Sequence, residues 1–304
     1  MKKLIATIGL LACVYTTAIA CDVCGCAANG GGTMGIMPRF GRHFVGVRYS
    51  QSAFTSQHLT LFENEIPQHS SEQFNTIQVW GRYVPHPRVQ VFALMPYHFF
   101  SRKEENRTTT SQGWGDATLL ANYVVINSAD SMSSKFKHAL QLGAGVKLPT
   151  GNYNRTNNGA LLLANMQMGS GTVDIPFNAM YTLRYKKAGV NTELNYTLNT
   201  TNTNSYRFGN RAGATLRFFY WKNIKNATFL PQLGVSYEHL AKDVSYKEIQ
   251  KYTGGQRTDI VAGLDTYFKS FSFGVALKQP ISYHLGSGQI TPKTSFSTSI
   301  IYLF

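Results

Sequence analysis

The sequence predicts an all-β protein, a transmembrane up-and-down antiparallel β-barrel of about twelve strands behind a cleaved signal peptide. From residue 43 onward, apolar and polar residues alternate with a period of two in successive segments, as they do in half-buried strands. The connections between these segments alternate between long and short, and charged residues make up only 14% of the chain, against roughly a quarter in soluble domains. Together these three observations indicate a lipid-embedded barrel.

The seventh segment shows the alternation most clearly. Val190, Leu194 and Tyr196 fall on one face, whereas Glu193 and Asn195 fall on the other. The charged residues of the other segments also fall on the polar face. A Lys or Arg on the lipid face near the bilayer midplane costs about 2–4 kcal/mol. We therefore expect the apolar faces to contact lipid and the polar faces to line a lumen.

The connections predict how the barrel sits in its membrane. Long ones are expected at 51–73, 101–113, 150–170, 240–256 and 282–292, with a shorter one at 200–206. The remaining connections are tight or moderately short, at 85–88, 127–135, 185–189, 221–226 and 269–270. Outer-membrane barrels have long outer loops and short periplasmic turns. The pattern predicts an outer-membrane location with both termini in the periplasm.

The first residues are typical of a secretory signal peptide. Lys2 and Lys3 precede an apolar stretch too short to span a bilayer, and Ala18-Ile19-Ala20 matches a cleavage site, so the mature chain is expected to begin at Cys21. A lipobox-like sequence ending at Cys13 offers lipidation as an alternative, but a full barrel needs no lipid anchor. The predicted organisation is a signal peptide at 1–20, a Cys- and Gly-rich periplasmic segment at 21–42 and the barrel at 43–304.

Cys21, Cys24 and Cys26 form a C-x-x-C-x-C pattern that leaves several chemistries open. Close thiols bind soft metals such as Cu(I) or Zn²⁺, whereas an oxidising periplasm favours a disulfide. The odd cysteine can be capped, lipidated or paired between chains. Three thiols without a fourth ligand are incomplete for structural zinc. No other cofactor is expected.

Charged residues on the polar faces are the candidate pore residues. Rings of charge can tune selectivity for solutes, but the same side chains can also pair across a narrow lumen and close it. A barrel of about twelve strands lies between a side-chain-filled barrel of eight and an aqueous pore of sixteen, so a small or occluded passage is expected. The candidates are Arg48, Arg82, Asp116, Lys147, Asp174, Arg184, Glu193, Arg211, Arg217, Asp259 and Asp265.

Asp116, Lys147 and Asp174 lie near the ends of three consecutive predicted strands, on the lumen face. Adjacent strands lie about 4.8 Å apart, so we expect one Asp–Lys–Asp cluster at the outer mouth. The neighbouring loop at 150–170 is rich in Leu and Met. Such a loop can fold into the lumen as a plug, but an ordered surface loop is the more common arrangement and is preferred here.

Two other classes of function are disfavoured. The net charge of +14 is spread along the chain and forms no single basic patch, so no nucleic-acid partner is expected. Lipid-modifying enzymes with twelve-stranded barrels need a Ser–His pair in catalytic register, but the eight His are scattered and no G-x-S-x-G motif occurs. We therefore expect a protein that is not an enzyme. Many basic residues fall in the short turns, where they can contact anionic lipid head groups.

The last predicted strand ends at Phe304, in phase with Ile300 and Tyr302. A terminal strand that ends in Phe resembles the signal read by the barrel-assembly machinery of Gram-negative bacteria. That machinery and the lipids of the outer membrane are therefore the expected partners.

Three motifs carry a resemblance to a known family: G-W-G-D at 113–116, K-L-P-T-G at 147–151 and G-S-G-T-V-D at 169–174. In this order they resemble the outer-membrane transporter family labelled as a meta-pathway of phenol degradation, over roughly residues 75–304. The resemblance implies a channel or transporter for small solutes, aromatic or hydrophobic ones among them. The rival hypothesis is a structural or binding barrel with a closed lumen. The Cys-rich segment departs from the family pattern and leaves a metal-linked role open.

Overall fold

The computed structural model describes residues 42–58, 68–105, 107–128, 135–157 and 159–304. Twelve long strands form the barrel and are numbered in chain order. Their bounds are β1 Phe44–His58, β2 Gln68–His86, β3 Val89–Lys103, β4 Thr108–Trp114 continued by Ala117–Asn127, β5 Phe136–Leu148, β6 Ile175–Tyr185, β7 Ala188–Leu198, β8 Arg211–Tyr220, β9 Ala227–Leu240, β10 Gly255–Phe268, β11 Phe271–Leu285 and β12 Ser295–Leu303.

Each long strand pairs with its neighbours in chain order, and β12 closes the barrel on β1. In this last pairing Val47 faces Ile300, and every pairing is antiparallel. The prediction of an up-and-down barrel of 12 strands is confirmed. Closure matters because a bilayer offers no water to an unpaired strand edge. Among the described residues, no helix has the length and apolar composition needed to cross a membrane.

The two ends of the barrel differ in their connections. The end that carries Phe304, here called the short-turn end, has tight turns that begin at left-handed lysines, with φ of 52° at Lys186, 49° at Lys225 and 50° at Lys269. Such positive φ values are typical of tight hairpin turns. The opposite end, here called the long-loop end, carries the 149–174, 199–210 and 241–254 connections.

The predicted faces of the strands are confirmed. Val47, Leu194 and Ile300 point outward with about half of their surface exposed, at 47%, 50% and 53%. Their neighbours on the opposite face, such as Glu193 and Arg217, are buried in the lumen. An apolar exterior is what a lipid bilayer requires of a membrane-spanning barrel.

Several strands extend further than predicted. The expected loops at 51–73 and 101–113 are largely strand, since β1 and β2 remain paired up to His58 and Gln68 and β3 and β4 up to Lys103 and Thr108. In these extensions the outward residues are mostly polar, so the apolar alternation fades. Backbone pairing needs no apolar outward face, which explains why the sequence pattern ended too early.

Shorter elements decorate the connections. Two 3₁₀ helices span Ala164–Met166 and Gly286–Gly288. The short strands are Thr156–Asn157, Ala160–Leu161, Tyr206–Arg207, Lys222–Ile224, Val244–Ser245, Glu248–Ile249 and Ile290–Pro292.

Apolar side chains fill the lumen near the short-turn end. Phe44, Trp80, Phe92, Leu120 and Leu303 form one buried cluster on β1 to β4 and β12. The rings of Phe44 and Trp80 meet edge to face at 4.7 Å between centroids. This cluster is the floor above which the candidate site lies.

Candidate functional site

The predicted Asp–Lys–Asp cluster forms. Nζ of Lys147 on β5 lies 2.5 Å from Oδ2 of Asp174 and 3.5 Å from Oδ2 of Asp116. Register explains the meeting, because Lys147 faces Thr118 on β4 and makes an isolated bridge with Asp174 on the other side. All three side chains are largely buried, so the ion pairs lie in an environment where screening by water is weak.

Asp116 accepts hydrogen bonds from both ends of the β5–β6 loop, residues 149–174. Its Oδ1 accepts a hydrogen bond from the backbone N–H of Gly151 at 3.0 Å. Its Oδ2 accepts two at 2.8 Å from Ser170, one from the backbone N–H and one from the hydroxyl. The loop ends can approach this closely because a Cβ on Gly151 would lie 2.8 Å from Cα of Gly169.

A break in β4 aims the Asp116 side chain into the lumen. The strand is interrupted at Gly115 and Asp116, and the Gly115 N–H donates to the Pro96 carbonyl at 2.9 Å. A side chain at 115 has no space, because its Cβ would lie 2.3 Å from Nε2 of the buried His98. Because residue 115 is a glycine, the chain can pass close to His98 and place the Asp116 carboxylate next to the β5–β6 loop.

Asp174 extends the same network to the next loop. Its Oδ1 accepts hydrogen bonds from the hydroxyl of Thr172 at 2.8 Å and from the backbone N–H of Thr200 at 2.9 Å. The Asn202 side chain, in the same 199–210 loop, donates to the carbonyl of Ser170 at 3.0 Å. The cluster thus joins two loops of the long-loop end.

The β5–β6 loop folds into the lumen, so the preference for a surface loop was wrong. Met166 and Met168 are each 1% exposed and pack against Phe54, Phe74 and Phe100. These phenylalanines occupy inward positions of β1, β2 and β3. The sequence pattern predicted that Phe54 lies in a loop and that Phe74 and Phe100 lie next to loops. The apolar inner surface that contacts the methionines was therefore missed.

A cavity of about 300 Å³ remains between this loop and the floor. Asn165, Gln167 and Ser170 of the loop line one side of it, and Leu94 and Leu120 line it towards the floor. Polar and apolar side chains both face the space. The cavity can therefore contact the polar and apolar parts of one small molecule.

The other predicted pore residues fall into three groups. Arg48, Arg211, Arg217 and Asp265 line the cavity. A second group, Glu193 and Asp259, is buried in the wall. The third group lies towards the short-turn end, where Arg82 donates to the carbonyl of Arg42 and Arg184 lies over the ring of Trp221.

Among the residues that the structure describes, the lumen charges pair along the wall and not across the lumen. Arg217 contacts Glu193 on the adjacent strand at 3.4 Å. Glu238 on β9 contacts Arg211 and Arg257 on its two neighbouring strands at 3.5 and 3.2 Å. These ion pairs therefore do not close the lumen, which was the alternative to a role in selectivity.

Arg257 is a cavity residue that the sequence reasoning missed. It lines the cavity and also contacts Asp259 on its own strand at 3.2 Å. The residues assigned to the predicted tenth strand began at Asp259, and a long connection was expected at 240–256. The alternation of Arg257, Asp259 and Val261 on one face was the signal that could have identified it.

The predicted metal site lies outside the described residues, which exclude Cys21, Cys24 and Cys26. Within the described part of the chain, no group of three or more His, Cys, Asp or Glu side chains is placed to hold a metal ion. Copper or zinc binding by the cysteines therefore stays a prediction.

A family profile described as "Putative MetA-pathway of phenol degradation" matches residues 74–259. The chain belongs to this family. The three motifs that carried the resemblance overlap the Asp116–Lys147–Asp174 cluster and the ends of the β5–β6 loop. No curated protein matches the chain in sequence.

Solved barrels are similar to this member of the family in fold. An outer membrane channel from Pseudomonas putida F1 has a TM-score of 0.63 and 16% sequence identity, over 90% of this chain and 99% of that one. The beta domain of the Bordetella autotransporter BrkA has a TM-score of 0.53 and 11% identity, over 86% of this chain and 100% of that one. The protein is an outer-membrane β-barrel.

Proposed function

We propose that the protein is a channel or transporter for small solutes, aromatic or hydrophobic ones among them, and not an enzyme. The observation that carries the proposal is the cavity of about 300 Å³ kept inside a closed membrane barrel. An eight-stranded barrel fills its interior with side chains, whereas this wider barrel keeps an open space. In the proposed orientation, the short-turn end and both termini face the periplasm.

The size of the cavity favours small cargo. Ligand sites commonly occupy roughly 300–1,000 Å³, so this cavity is at the lower limit and suits a molecule of about one ring. The aromatic floor and the β5–β6 loop restrict the lumen on either side of it. We propose that transport requires the loop to move, with the methionines as its apolar contact and Asp116 as its polar anchor.

Single-channel conductance in planar bilayers tests this function. The parent protein is expected to conduct weakly, and deletion of residues 157–167 is expected to raise the conductance. Deletion of residues 246–249, in the exposed part of the 241–254 loop, is the matched control and should change little. Both variants must first show heat-modifiable migration, because a closed barrel resists detergent until it is boiled.

The second candidate is a structural or binding barrel with a closed lumen, favoured by the apolar packing at both ends of the cavity. It predicts no conductance from the parent, from the 157–167 deletion or from a Met166→Ser/Met168→Ser variant. Absence of conductance from all three, with correctly assembled barrels, would overturn the channel proposal in favour of this one.

A further inference from the structure

We propose that the cavity binds small carboxylates, along a row of hydroxyl groups that runs on the wall from Arg48 to Lys278. This inference rests on the proposed channel function and names the chemical class of its solute. Three features of the cavity carry it: the sign of the charges that line the space, two cations that form no ion pair among the described residues, and the hydroxyls between them.

The charged groups that line the cavity are mainly positive. Two carboxylates, Asp116 and Asp265, face six cations, which are Arg48, Lys147, Arg211, Arg217, Arg257 and Lys278. Glu193 and Asp174, which pair with Arg217 and Lys147, are buried and do not line the cavity, whereas their partner cations do. A solute in the cavity therefore meets cations before it meets most of the acids.

Arg48 and Lys278 are the two lining cations that form no ion pair with a carboxylate among the described residues. The Arg48 guanidinium lies over the Trp80 ring, 4.3 Å from its centroid. Stacking uses the flat face of a guanidinium and leaves its N–H edge free, which is the edge that binds a carboxylate with two parallel hydrogen bonds. The floor thus orients Arg48 towards the cavity.

Serine hydroxyls connect the two cations along β1 and β12. Arg48 pairs in register with Ser299, and Lys278 pairs with Ser295. Four residues of strand separate these positions on β12, or roughly 13 Å at about 3.3 Å per residue. The serines that line the cavity along this interval are Ser50, Ser52, Ser295, Ser297 and Ser299.

Within the described part of the chain, none of these five hydroxyls forms a hydrogen bond, and we propose that they donate to the solute. On the neighbouring strands β2, β3 and β4, the cavity is lined by Phe74, Leu94 and Leu120, and Phe74 pairs in register with Ser52. A wall of hydroxyl groups and cations beside an apolar wall fits an amphipathic anion. A carboxylate on a short apolar or aromatic body meets both requirements, whereas a bare inorganic anion uses only one.

Reversal potentials across a KCl gradient test the sign of the site. The parent is expected to prefer anions, and each of Arg48→Gln and Lys278→Gln is expected to lower the anion-to-cation permeability ratio by about fivefold. Lys251→Gln removes an exposed cation of the 241–254 loop and is the control that should leave the ratio unchanged. A conducting parent that prefers cations would overturn this inference and leave the channel function standing.

Equilibrium binding tests the solute class without relying on conductance. Radiolabelled benzoate is expected to bind the detergent-purified barrel, and binding should weaken at least tenfold in the Arg48→Gln/Lys278→Gln variant. Ser50→Ala/Ser297→Ala, which keeps both charges, is expected to weaken it less. Neutral benzamide should bind poorly. Equal binding of benzamide and benzoate, or unchanged benzoate binding in both variants, would exclude the carboxylate site even if the protein conducts.

Discussion

Asp116 accepts two hydrogen bonds from Ser170, 54 residues further along the chain, and both measure 2.8 Å. One comes from the backbone N–H and the other from the hydroxyl, and both residues are buried. The contact ties the break in β4 to the end of the β5–β6 loop. It explains how a loop that enters the lumen is held there by one carboxylate at the rim of the barrel.

Replacing Asp116 by Asn is expected to loosen the loop. The amide keeps one oxygen for Gly151 but loses the charge and the second acceptor, and hydrogen bonds to charged groups contribute about 1.5–3 kcal/mol. Tryptic cleavage after Arg155 in folded protein should accelerate roughly tenfold or more. Glu248→Gln, at an exposed carboxylate of the 241–254 loop, is the control. Equal cleavage rates in the Asp116 variant and the parent would contradict the anchoring role.

Lys147→Ala should shift the selectivity towards cations, because it leaves Asp116 and Asp174 without their shared partner. Removing one member of a buried ion pair costs about 3–5 kcal/mol, so the temperature at which the barrel loses its heat-resistant form should also fall. Reversal potentials and heat-modifiable migration measure the two effects. Adding Asp174→Asn should restore part of both; no recovery in this double variant would mean that the lysine acts elsewhere.

Asp243 is expected to make the loops of the long-loop end sensitive to pH. Burial raises the pKa of its carboxyl group from 3.8 to about 6, although hydrogen bonds from the Tyr206 hydroxyl at 2.5 Å and the Gly209 N–H at 2.7 Å, and the charge of Arg211, lower it. The carboxyl of the folded loop is thus protonated at higher pH than that of an unfolded loop. The protonated Asp243 carboxyl group stabilises the folded loop fully below about pH 3.8. This stabilisation is lost as the pH rises through about 6.

Carbon-13 NMR of aspartate-labelled protein measures this titration, with Asp243→Asn used for assignment. Amide-exchange protection in the 199–210 and 241–254 loops, corrected for intrinsic rates, should decrease from pH 5 to pH 7.5 in the parent and change less in the Asn variant. A midpoint near 4 would show that the hydrogen bonds outweigh burial.

Removal of Phe304 is expected to reduce the amount of assembled barrel in cells but not the stability of barrel already formed. The side chain is 59% exposed and stacks on His43 at 5.7 Å between ring centroids, so it contributes little to the core. Assembled protein is quantified by heat-modifiable migration, and Phe296→Ala, an outward aromatic on the same strand, is the control. Normal assembly of the truncated chain would argue against recognition of the terminal residue by the assembly machinery.

The cysteine prediction is tested by metal analysis of mature protein. If Cys21, Cys24 and Cys26 form a soft-metal site, purified protein should retain about one Cu(I) or Zn²⁺, and Cys24→Ser should release it. Metal-free protein with one intramolecular disulfide would support the alternative chemistry.

The lumen-facing residues were predictable where alternation was regular. Arg48, Arg217 and Asp265 face the cavity as expected, because a period of two assigns each strand residue to one face. The prediction was poorer where strands leave the membrane, since outward residues there are polar. Arg257 and the inward phenylalanines were missed for that reason.

The sequence by itself determined the strand number, the two faces and the meeting of Lys147 with its two aspartates. All three follow from alternation and from the pairing of strands that are consecutive in the chain. The tertiary structure decided the position of the β5–β6 loop and the neighbourhood of Arg48 and Lys278. Both depend on closure: only when β12 pairs with β1 do residues from opposite ends of the chain share one wall, and only a closed lumen offers the loop an apolar surface to enter.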